Sequence, residues 1–100
     1  MRPCPKPKRI FDEDFSQKVR ARDGVCVAGM FLRDGCSAGL DCHHITHRGA
    51  GGGDILENGI SLCRRHHNRV HNGWISKMTM RSWLTRLYGY QYEEAEDDEY

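Results

Sequence analysis

The sequence predicts a small α+β domain: a helix, a β-hairpin and two further helices around a set of metal-binding side chains. Three observations predict it. Apolar residues recur at helical spacing in residues 11–23 and 79–88. Two short extended runs, 40–47 and 58–63, flank a glycine-rich loop. All six histidines fall between residues 43 and 71, with Cys42 just before them and Cys63 among them.

The elements follow in order. The three prolines stand at 3, 5 and 7 among Arg2, Lys6, Lys8 and Arg9, so residues 1–10 read as a basic, proline-rich extended arm. "FDEDFSQKVRARD" (11–23) reads as a helix: acids crowd its first turn, bases its last, and Phe11, Phe15 and Val19 repeat every four positions. Gly24 would stop it. Residues 25–40 are loop-like, with Cys26 and Cys36 bracketing "VAGMFLRDG". "LDCHHITH" (40–47) reads as a strand, "GAGGGD" (49–54) as a loop, and "NGISLC" (58–63) as a turn and strand. "RRHHNRVHN" (64–72) is a short helix ending near Asn72–Gly73. "TMRSWLTRLY" (79–88) is an amphipathic helix with Met80, Trp83, Leu84 and Leu87 on one face and Gly89 beyond it. Residues 11–90 read as one domain and 91–100 as an acidic disordered tail, since "EEAEDDEY" holds six acids and no base.

One hundred residues, 38% of them hydrophobic, bury only a thin core. A bound structural metal would offset that deficit, contributing on the order of 10 kcal/mol in small modules. The cysteine count is five, an odd number, and the first residues resemble no signal peptide, which disfavours a secreted disulfide framework. No run approaches the ~18 apolar residues of a membrane span. The chain therefore reads as cytoplasmic, without a membrane partner, its thiols kept for metal. The net charge of +1 hides an uneven layout. Without the basic arm and the acidic tail, eleven basic and eight acidic residues remain, a net of about +3, so a nucleic-acid partner is not excluded.

"SLCRRHHNRVH" (61–71) poses the central question, whether its ligands surround one ion or two. Helical residues four apart share a face, so His67 and His71 belong together and His66 points elsewhere. Cys63 and His66 have the C-x-x-H spacing of a structural zinc knuckle. Cys26 and Cys36 could complete a Cys3His shell, and His43 and His44 could meet the His67/His71 pair. The spacing favours two metals.

These residues resemble a known family. "CHHITHRGAGGGDILENGISLCRRHHNRVH" (42–71) resembles the HNH endonuclease motif of the ββα-metal nucleases, and "VRARDGVC" (19–26) is similar to the approach to the knuckle in many members. The resemblance implies a ββα-metal fold with a zinc knuckle, flanked by an N-terminal and a C-terminal helix. It implies a metal-dependent DNA endonuclease, with a non-catalytic zinc-stabilised nucleic-acid-binding module as the alternative. His44 would activate water, and Asn58 would brace the loop that keeps His44 aimed. His43, His67 and His71 would hold a catalytic divalent ion (Mg2+, Mn2+, Ni2+ or Zn2+). Cys26, Cys36, Cys63 and His66 would hold structural Zn2+. Its similarity to small stand-alone phage members implies DNA, and phage packaging proteins, as partners.

The chemistry fits those residue types. An imidazole titrates near neutral pH and can take a proton from water, while a divalent ion relieves charge on the phosphate and the leaving oxygen. Adjacent strand residues point to opposite sides, so His43 can grip metal while His44 stays free. Three departures stand out. His66 replaces a usual cysteine. The C-x9-C spacing must loop out, which makes Cys42 a rival to Cys36. His47 shares the strand face of His43, as a competing ligand, a surface residue or a phosphate contact. Among the arginines near the motif, Arg48 and Arg65 are the candidate phosphate clamps. Trp74, Trp83 and Tyr88 read as packing for the last helix.

Overall fold

The computed structural model describes residues 11–47 and 52–92. The basic arm, Arg48 with the first glycines of its loop, and the acidic residues 93–100 lie outside them. The elements are α1 (Phe15–Asp23), α2 (Val27–Leu32), β1 (Asp41–His44), a 3-10 turn (Leu56–Asn58), β2 (Gly59–Leu62), α3 (Arg64–His71) and α4 (Lys77–Tyr88). This is a small α+β fold built on one two-stranded antiparallel sheet.

Three boundaries differ from the sequence expectation, each for a local reason. The first helix starts at Phe15 rather than residue 11. Asp12 Oδ1 accepts the Asp14 N–H at 2.9 Å, and this side-chain turn competes with the helix. Phe11 is left 71% exposed. Within the expected loop, residues 27–32 coil into α2, because Cys26 Sγ caps its start through the Gly29 N–H at 3.3 Å. α4 begins two residues early, where Ser76 Oγ accepts the Thr79 N–H at 3.1 Å. Packed structure also reaches Tyr92, inside the segment read as tail, since its hydroxyl donates to Glu57 O at 2.7 Å.

The sheet register sets the geometry of everything that follows. Asp41 pairs with Leu62, Cys42 with Ser61, His43 with Ile60 and His44 with Gly59. Side chains alternate along both strands. His44 and Gly59 face α1, where the His44 ring stacks on Phe15 at 4.7 Å. A Cβ at Gly59 would lie 2.6 Å from both Phe15 and Val19, so the close seating of α1 requires glycine there. The other face packs Ile60 and Leu62 into a core with Val27, Ala28, Ile45, Ile75, Met80, Trp83 and Leu84. Phe31 stacks on Trp83 at 5.5 Å and joins α2 to α4. Beside the strands, Asp23 binds Arg22, the Tyr88 hydroxyl and the Ser61 N–H, tying α1 to β2 and α4. No helix among the described residues is long and apolar enough to cross a membrane.

Candidate metal centres

Two groups of ligand atoms converge, one on each side of α3. In the first, His66 Nδ1 lies 3.1 Å from Cys63 Sγ, 3.4 Å from Cys26 Sγ and 3.8 Å from Cys36 Sγ. All four donor atoms lie within 4.8 Å of one another. Tetrahedral zinc with ordinary bond lengths spaces sulfur and nitrogen about 3.5 Å apart, so the donor set and its spacing fit that ion. Two helix starts supply two of the three sulfurs. Cys26 caps α2 and Cys63 caps α3, each sulfur facing a backbone N–H, and at Cys63 this contact favours thiolate. Burial opposes it at Cys63, but hydrogen bonds from the His66 and Ser37 backbones bring that thiol below its ordinary value. Cys36 goes the other way, raised by burial and by the neighbouring Cys26 and Cys63.

Cys36 rather than Cys42 joins this group. Cys42 sits across from Ser61 on the α1 side of the sheet, and burial pushes its thiol up to about 11. The long C-x9-C insert closes because α2 takes up its first turns. Gly29 leaves room for that closure, since a Cβ there would crowd Cys36 Sγ.

The second group is His43, His67 and His71, again with donor atoms within 4.8 Å of one another. His43 Nδ1 and His67 Nε2 are 3.3 Å apart, about the spacing of two nitrogens on one tetrahedral ion. The His67 and His71 rings lie 4.8 Å apart, one helical turn up the same face of α3. Burial, and then the neighbouring His67, His47, His71 and His44, push the His43 imidazole down to about 3, leaving it a neutral ligand. A cavity of about 180 Å3 adjoins the group, lined by His43, His47, His71 and Lys77 and by apolar side chains including Ile75 and Met80. His47 borders that cavity but stands outside the three-histidine group.

His44 lies apart, on the α1 face. Its Nε2 is 2.8 Å from Asp54 Oδ1. Asn58 fastens the loop between the strands: its Oδ1 accepts the Thr46 N–H at 2.8 Å, and its Nδ2 donates to Thr46 O and Gly53 O, each at 3.0 Å. Gly52 is needed where this loop doubles back, because a Cβ would run into Thr46 O.

Three aspartates escaped the sequence reading, and each meets one of these histidines. Asp34 Oδ1 lies 3.2 Å from His66 Nε2, Asp41 Oδ2 lies 3.2 Å from His67 Nδ1, and Asp54 serves His44. A carboxylate accepts only from a ring N–H, so each contact sets which nitrogen keeps its lone pair. His66 turns Nδ1 to the thiols, and His67 turns Nε2 to His43. Period-two alternation in "DCHH" could have flagged Asp41, which shares the His43 face. Asp34 and Asp54 lie in loops, where no periodicity marks them.

The arginines divide. Arg65 donates to Gly35 O, and its N–H bonds Ser37 Oγ, so it supports the loop that carries Cys36. Arg64 pairs with Asp41 and Arg69 with Asp34. Arg48 lies outside the described residues. Trp74 departs from its expected packing role. It is 76% exposed, with the Arg69 guanidinium 5.9 Å from its ring centre.

Residues 31–73 match the family model described as HNH endonuclease. This stretch is an HNH domain. It runs from the end of α2 to the end of α3 and takes in both strands, while α1, Cys26 and α4 lie outside it. The HNH family is metal-dependent and acts on nucleic acid, and the two donor groups could hold the ions it needs. No curated protein and no solved structure matches the chain.

Proposed function

We propose that this HNH protein is a DNA endonuclease that hydrolyses phosphodiester bonds at the end of β1. His43, His67 and His71 would hold a catalytic divalent ion, and Cys26, Cys36, Cys63 and His66 a structural zinc. When bound, such an ion would supply Lewis acidity toward a phosphodiester. His44 accepts a proton from the attacking water through Nδ1, the nitrogen left with a lone pair once Nε2–H is committed to Asp54. Asn58 holds both Thr46 and Gly53, which ties the residue two after His44 to the residue before Asp54.

One observation carries this reading. His43 and His44 are sequence neighbours on opposite faces of β1, the first against His67 and His71, the second against Phe15 and Asp54. A purely structural metal module accounts for the thiols and His66 but gives that division no purpose. Plasmid cleavage with Mg2+, Mn2+ or Ni2+ tests the proposal. His44→Ala should abolish nicking while leaving the zinc content and the circular dichroism spectrum unchanged. Cleavage that survives the substitution removes His44 as the base. A protein that binds one zinc, takes up no second ion and cuts nothing is instead the nucleic-acid-binding module.

A further inference from the structure

We infer that Asp54 is the positioning residue for His44, its carboxylate holding Nε2–H so that Nδ1 alone can receive a proton. The inference rests on the proposed role of His44, although the contacts that carry it do not depend on that role.

Asp54 has the marks of a fixed acceptor. Its side chain is 1% exposed, so water does not compete for it. Oδ1 takes the His44 ring at 2.8 Å while Oδ2 accepts the Asp12 N–H at 2.9 Å, which stops the carboxylate from rotating away. Asp54 belongs to neither metal-ligand group among the described residues. Phe15 covers the face of the imidazole at 4.7 Å and 26°, which sets the ring plane, and Asp54 then sets its rotation within that plane.

The same contacts explain how Asn58 acts on His44 without touching it. Asn58 Nδ2 holds the carbonyl of Gly53, the residue before Asp54, and Thr46, two residues after His44. The asparagine fixes the loop, the loop fixes the carboxylate, and the carboxylate fixes the ring. An acidic side chain in this place also stabilises the imidazolium that forms when the proton arrives.

The test uses the full-length protein loaded with zinc and magnesium and labelled with 15N-histidine. Long-range 1H–15N correlation should find His44 wholly in the Nε2–H tautomer, and Asp54→Ala should convert it to a mixture. In plasmid cleavage Asp54→Ala should lower kcat about 100-fold while KM stays within about twofold, with Asp54→Asn, which keeps an acceptor oxygen, falling in between. If the alanine variant does not fold, the asparagine variant carries both measurements. An Nδ1–H tautomer in the unaltered protein overturns the inference. So does a variant that loses metal affinity, DNA affinity and melting temperature together with its tautomer unchanged, because Asp54 would then be structural. If the unaltered protein cuts no DNA under any of these ions, the nuclease reading fails, and the tautomer measurement still decides the assignment of Asp54.

Discussion

Asp41 and His67 share a hydrogen bond of 3.2 Å that commits the Nδ1–H of the histidine and turns its Nε2 toward His43. The same carboxylate takes the Arg64 side chain at 2.9 Å, so it is itself held in place. A histidine so oriented has one rotamer and one tautomer suited to a cation, and the ligand arrives prepaid in entropy.

Removing that support should weaken the three-histidine group without dissolving it. Asp41→Ala is expected to lower affinity for Mn2+ or Ni2+ by about 10- to 100-fold. Isothermal titration of the zinc-loaded protein measures this, and the zinc count should stay the same, because Asp41 serves only the other group. Unchanged affinity would mean that the 3.2 Å contact does not orient His67.

The two candidate thiols for the knuckle give a sharper contrast. Cys36 lies 3.8 Å from His66 Nδ1, whereas Cys42 faces α1. Native mass spectrometry of Cys42→Ser should therefore find zinc retained, and that of Cys36→Ser should find it reduced or lost. Cys63→Ser should lose zinc and much of the fold with it, since a structural ion contributes on the order of 10 kcal/mol to small modules.

Much of this arrangement was legible in the sequence because it follows from periodicity. The pairing of His67 with His71 is a helical repeat, and the split between His43 and His44 is the strand repeat. Cys63 and His66 carry a recognisable ligand spacing. α2 was not legible: it has six residues, fewer than two turns, with Gly29 in the middle, so no apolar period can emerge. Its reason for existing is the Cys26 cap and the close approach of Cys36, both of them tertiary. Asp34 and Asp54 were hidden for the same reason, as their histidine partners lie 32 and 10 positions away. The exposure of Trp74 was hidden too, because a tryptophan beside an amphipathic helix reads as core whichever way its turn directs it.

The two tryptophans should differ in melting experiments. Trp83 is 6% exposed and stacks on Phe31, so Trp83→Ala should cost about 3–5 kcal/mol, or prevent folding. Trp74 is 76% exposed, so Trp74→Ala should change stability by no more than about 0.5 kcal/mol. A large loss at Trp74 would restore the packing role that the sequence suggested for it.

The buried pair under the sheet sets an acid limit on stability. Asp23 has no exposed side-chain surface, and burial alone would raise its carboxyl. Hydrogen bonds from Arg22, Tyr88 and Ser61, together with the Arg22 charge, outweigh burial and hold it below the usual carboxylate value. A carboxyl that is more acidic when folded stabilises the fold fully above its unfolded value, near pH 4, and loses that contribution as pH falls through its folded value. Asp23→Asn should accordingly cost about 3 kcal/mol at pH 7, where Arg22 is left buried beside a neutral partner. The gap between the variant and the unaltered protein should narrow below about pH 4. Urea melts at pH 7 and pH 3 give both numbers, and taking the difference between the two proteins cancels the other carboxylates and the metal ligands they share. A gap that stays constant across that range would show that the Asp23 charge contributes nothing to joining α1 to β2 and α4.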